Sequence, residues 1–200
     1  MRDGANIRYY DNKQELPRKS KLLLVFDDDS CINVTTSMYS AISVFKKDEG
    51  TNDKHYNLEL TGVGVMDKAF TFEYFKSLIN KDTTSISLKA FLATEQRILG
   101  IGNGSVQDIL FNAKMNPKRK VNALSEKELR ILCNATFSTI KEMCDNNGRD
   151  TEKNIYGNSV GSKTKMSKNT YKNPCLAGGK EIKKESYLGS SIYYCPNYQK

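Results

Sequence analysis

The 200-residue chain has no tryptophan, one histidine and four prolines. A lone histidine, His55, cannot build a histidine-rich metal site. No apolar run is long enough to span a bilayer, and no signal-peptide pattern opens the sequence. A monomer in the cytoplasm is therefore expected. Five cysteines, Cys31, Cys133, Cys144, Cys175 and Cys195, are an odd and sparse set, which does not read as a disulfide framework. Internal repeats are absent. A dinucleotide fingerprint is absent as well, since Gly100 and Gly102 lack a third glycine at position 105. "GNSVGSKT", 157–164, resembles a phosphate-binding P-loop, but Ser162 replaces its last glycine. No hydrophobic strand leads into it and no helical pattern follows.

Acidic residues are scarce in only one half. Residues 1–100 hold 14 basic and 14 acidic side chains, whereas residues 101–200 hold 17 against 9, which is the whole net charge of +8. Such asymmetry points to an acidic partner for the second half, nucleic acid being the commonest. A length of 200 residues suits one large domain or two small ones.

"IRYY", "KLLLVF", "CINV" and "AISVF" read as strands, with "DDDS" as a hairpin turn between the second and third. From about Asp67 the period changes to helical, with Phe70, Tyr74, Phe75, Leu78 and Ile79 on one face. A short helix, "LKAFLATE", follows. In "GIGNGSVQDILF", 100–111, Val106, Ile109 and Leu110 recur at helical spacing, and Asn103 is the expected N-cap. A glycine turn that opens a helix presents bare amides and suits an anion. Pro117 ends the helix, and Lys118, Arg119 and Lys120 follow it.

"LSEKELRILCNATFSTIKEMCDNNG" carries the strongest local signal. Ser125 and Glu128 spell a capping box, and Leu124 with Leu129 a hydrophobic staple. Leu132, Ala135, Ile140, Met143 and Cys144 are the expected buried stripe, with Cys133 as a further packing residue. Residues 149–170 are rich in Gly, Ser, Asn and Lys, and read as a mobile loop.

The C-terminal stretch reads as a small hairpin held by Tyr187, Leu188, Ile192, Tyr193 and Tyr194. Cys175 and Cys195 each head a C-x2-C position whose second member is absent, Gly178 and Tyr198 standing there. Two thiolates are an incomplete zinc site, so no zinc or weakly bound zinc is expected.

Taken in order, "GIGNGSVQDILF…NPKRK…LSEKEL" and "YYCPNYQ" resemble the helix-two-turn-helix module and C-terminal zinc finger of formamidopyrimidine-DNA glycosylases and endonuclease VIII. The resemblance implies an α+β chain. Residues 1–66 would be a partial β-sandwich and 67–170 the helical DNA-binding domain. A degenerate finger would occupy 171–200. It implies base-excision repair and duplex DNA, damaged duplex included, as the partner. Asn103, beside Gly100 and Gly102, would contact a backbone phosphate. Met38 and Tyr39 would wedge beside a flipped base. Lys118, Arg119, Lys120, Lys163, Lys165 and Lys168 are the candidate phosphate ligands. The family's nucleophile is an N-terminal proline followed by glutamate. Here Arg2 and Asp3 follow Met1, and the first proline is Pro17. The expectation is therefore DNA binding without glycosylase or lyase activity by this chain alone. Where many members carry a finger arginine, this chain has "GSS", 189–191. The alternatives are a helix-hairpin-helix or ribosomal nucleic-acid-binding module, and an interaction remnant that does not bind DNA.

Overall fold

A computed structural model describes residues 5–12, 16, 19–36, 42, 46 and 54–200. These fall into two compact units, one of residues 1–53 with 152–160, the other of 54–151 with 161–200. The fold is α+β, as the sequence implied.

In the first unit β1 (Ala5–Tyr10), β2 (Leu22–Val25) and β3 (Cys31–Thr36) form an antiparallel sheet in the order β1-β3-β2. Register pairs Ile7 and Leu22 with Val34 on β3. "DDDS" does make the turn between β2 and β3. The Phe26 amide donates to the Ser30 carbonyl at 2.9 Å, and the Asp28 carboxylate accepts from the Ser30 amide at 3.0 Å. Bonds from Ser30 hold the Asp28 carboxyl below its ordinary range. Residues 152–160 join this sheet. The Tyr9 amide donates to the Ile155 carbonyl at 2.8 Å, and Arg8 to that of Asn154 at 3.1 Å. "AISVF" lies almost wholly outside the described residues.

The second unit is helical. α1 (Lys54–Thr61) has no sequence signal of its own. α2 (Phe72–Ser77) and α3 (Leu88–Ala93) are started by Thr71 and Ser87, whose hydroxyls accept the Tyr74 and Ala90 amides. α4 (Ser105–Asn112) and α5 (Glu126–Asp145) pack together over a core that includes Phe75, Phe91, Ile109, Leu110 and Leu132. The Ser125–Glu128 capping box is present. Cys133 is buried as expected, but Cys144 is exposed, because the stripe at this turn runs through Ile140 and Met143.

β4 (Lys183–Tyr187) and β5 (Ser190–Tyr194) form the terminal hairpin. Its two-residue turn holds Leu188 at φ 51° and Gly189 at φ 74°, the signature of a tight type I′ hairpin. Ile192, Tyr193 and Tyr194 are buried, but Leu188 is 56% exposed and holds nothing together. A second cluster gathers Phe111, Met166, Cys175, Ile182, Tyr193 and Cys195.

Candidate nucleic-acid interface

Seven of the eight α4 residues are buried, and its longer polar side chains tie neighbouring segments down. The Gln107 carbonyl accepts the Tyr193 amide at 2.6 Å, which docks the hairpin. The Asp108 carboxylate accepts the Met166 and Lys165 amides at 2.8 and 3.1 Å, which docks the turns after residue 160. Burial pushes the Asp108 pKa up, and those amides with the charges of Lys165 and Arg149 oppose the rise. Asn112 donates to the Thr139 hydroxyl at 2.8 Å and so joins α5. The short helix is therefore a hub, and whatever stands at its start is held on several sides.

Asn103 is not the N-cap. The helix begins one residue later, at Gly104, which makes no side-chain cap. The glycine turn closes on itself instead. The Gly102 amide donates to the Ser105 hydroxyl at 3.1 Å, and the Val106 amide to the Gly102 carbonyl at 3.1 Å. Gly100, at φ 86°, makes the reversal that a side chain would resist. Freed from capping, the Asn103 carboxamide oxygen accepts from the Ser190 hydroxyl at 3.1 Å. Lys89 then donates to Ser190 at 2.6 Å and to the Tyr187 carbonyl. Lys89 is 2% exposed, and its burial lowers its pKa. Glycine turn, hairpin turn and a buried ammonium thus converge on one point.

The basic cluster behaves differently. Lys118 pairs with Glu185 of β4 and lies over the rings of Tyr187 and Tyr194 at 5.6 and 6.0 Å. Arg119 pairs with Glu128 at 2.7 Å and donates to the Ala123 carbonyl at 2.8 Å. Both bind parts of the protein together. Lys120 is exposed. Lys165 is half-buried and donates to the Asn112 carboxamide at 2.8 Å, whereas Lys163 and Lys168 are exposed. Met38 and Tyr39 lie outside the described residues. The sequence reading missed Lys89, because a lysine ordinarily signals a solvated surface. It also missed Gln107, whose anchoring role depends on a hairpin 86 residues away.

The donor set of the finger does not suit a metal. Cys175 and Cys195 are both buried and share one cluster. Gly178 has no side chain, and the Tyr198 ring lies on Phe111 at 5.0 Å with the Lys114 ammonium 5.4 Å from its centre. Among the described residues, no three His, Cys, Asp or Glu side chains converge. Two thiols fall short of the four ligands of a structural zinc. Gln199 anchors this turn, being 1% exposed. Its carbonyl accepts the Cys195 amide at 2.8 Å, and its amide donates to the Met115 carbonyl at 2.9 Å.

Residues 62–154 match the model of the formamidopyrimidine-DNA glycosylase H2TH domain. The formamidopyrimidine-DNA glycosylase of Listeria monocytogenes serotype 4b is 29% identical over 210 residues, covering all of this chain and 73% of that protein. That of Prochlorococcus marinus strain NATL2A is 32% identical over 137 residues, 66% of this chain and 47% of the relative. Among solved structures, Lactococcus lactis Fpg with abasic-site DNA superposes with a TM-score of 0.71 at 18% identity, covering 99% of this chain and 72% of that one. MutM (Fpg) of Thermus thermophilus gives 0.68 at 19%, covering 98% and 76%. These matches do not favour the helix-hairpin-helix, ribosomal or remnant alternatives. The H2TH match, the curated relatives and the solved structures together support the formamidopyrimidine-DNA glycosylase and endonuclease VIII family as the one this chain resembles.

Proposed function

We propose that this chain binds duplex DNA, damaged duplex included, by its sugar–phosphate backbone, as a monomer of the base-excision-repair glycosylase family. The observation that carries the reading is the meeting of Asn103, Ser190 and Lys89. A carboxamide, a hydroxyl and a buried cation there suit one phosphate. The glycine turn leaves the backbone of that site open to close approach. In this chain Lys89 would supply the charge for which other members use a finger arginine. Lys120, Lys163 and Lys168 would add positive charge of little sequence preference. Zinc, if it binds at all, binds weakly.

The test is titration of a labelled duplex carrying a stable abasic-site analogue, beside an undamaged duplex. Binding of the first at low salt, weakened in Ser190→Ala, supports the reading. No binding of either duplex contradicts it.

A further inference from the structure

The two turns that flank the terminal hairpin are built alike. Cys175 heads the first, where the Gly179 amide donates to the Cys175 carbonyl at 2.8 Å and the Cys175 amide to the Lys180 carbonyl at 2.7 Å. Cys195 heads the second, where the Tyr198 and Gln199 amides donate to its carbonyl at 3.0 and 2.8 Å. The side chains meet, because the Cys175 thiol donates to the Cys195 sulfur. Cys175 is 2% exposed and Cys195 1%.

Phe111, Met166, Ile182 and Tyr193 share the cluster that holds them. Among the described residues no third His, Cys, Asp or Glu converges on the pair. A structural zinc would tie two such turns together, but its other ligands are missing. A covalent bond between the two remaining thiols would tie the same turns. It would also remove both S–H groups from apolar surroundings. Both strands of the hairpin lie between Cys175 and Cys195. The bond would therefore close a loop of about 20 residues and take freedom from the unfolded chain.

We propose that Cys175 and Cys195 are a reversible oxidation site, and that a disulfide between them clasps the hairpin in place of a metal. The oxidant is a small-molecule disulfide of the glutathione type. One cysteine thiolate attacks it, a mixed disulfide forms and one small thiol leaves. The second cysteine thiolate then attacks the protein sulfur of the mixed disulfide, and the second small thiol leaves. Two electrons and two protons pass to the oxidant, which ends as two thiols. Burial, and then the bond to Cys195, pushes the Cys175 pKa up, so attack from the closed form is slow and proceeds through local opening of the turns. The same burial shields the finished bridge from reductants. One reversible pair differs from a disulfide framework, and such pairs occur even in reducing compartments. The site does not depend on the DNA-binding reading.

The test uses the 200-residue chain with Cys144→Ser, which removes the exposed thiol that could join two molecules. The folded protein is equilibrated with oxidised glutathione, quenched in acid, blocked with an alkylating reagent and digested for mass spectrometry. A peptide linking Cys175 to Cys195 should dominate, and a dithiol reductant should remove it. The oxidised chain should melt roughly 5–10 °C above the reduced one. Cys195→Ala should abolish both the linked peptide and the oxidant-dependent shift. If that variant does not fold, the parent's linked peptide decides alone. Full alkylation of both cysteines after equilibration overturns the site. So does glutathione left on either one, or linkage of either to Cys31 or Cys133 as the main product. An equal yield of the linkage from urea-unfolded chain overturns it as well, since the fold would then not create the pair. A linked peptide without a rise in melting temperature overturns the clasp.

Discussion

Arg119 grips Glu128 at 2.7 Å, so the basic cluster secures the N-terminus of the longest helix. Glu128 also accepts the Ser125 amide at 2.9 Å. The Arg119 bond first, then the Ser125 amide, pulls its pKa down to about 2 from an ordinary 4.5. A depressed carboxyl stabilises the fold fully above its unfolded pKa, and loses that contribution as pH falls through the folded value. Stability should therefore decline between about pH 4.5 and 2. Glu128→Gln should flatten that part of the profile and lower stability at neutral pH by about 1 kcal/mol, the usual worth of a cap. Thermal melts across the acid range measure both.

Gln199→Ala should destabilise the finger more than any change at an exposed tyrosine. It strands the Cys195 amide and the Met115 carbonyl in a buried place. Each stranded group costs about 1–3 kcal/mol. Hydrogen exchange should show the turn at 195–199 opening first. Protection equal to wild type would show that Gln199 is not the anchor.

Asn103→Ala should leave thermal stability within a few tenths of a kcal/mol of wild type, since the residue caps nothing. It should nevertheless weaken duplex binding. A stability loss near 1 kcal/mol, typical of a removed N-cap, would mean that the helix starts at Asn103 after all.

Metal analysis after dialysis should find well under one zinc per chain. Gly178 and Tyr198 stand where two ligands would be needed, and the Tyr198 ring is already engaged with Phe111. One tightly held zinc per molecule would require ligands that the observed packing does not bring together.

Local chemistry made part of this molecule readable. The Ser125–Glu128 box and the apolar spacing of α5 are neighbours in sequence, and both stand as expected. The start of α4 was misread by one residue. Asparagine is a good cap by type, but the Ser105 hydroxyl and the Gly102 carbonyl close the turn first. α1 escaped notice because it has no acidic first turn, no basic last turn and little amphipathic contrast. Lys89, Gln107 and Gln199 escaped for a different reason. Each gains its role from a partner more than 80 residues away, which no local pattern encodes.

The central claim is that DNA is held at its phosphates. The most direct measurement is the duplex association constant against salt concentration, for wild type and for Lys89→Met. If about six phosphates are neutralised, the log–log slope should be roughly −5 for the wild type. Lys89→Met should keep the fold, lose affinity and make the slope shallower by about one unit, as removal of one phosphate contact requires. An affinity indifferent to salt, or a Lys89→Met slope equal to wild type at unchanged affinity, would contradict the account.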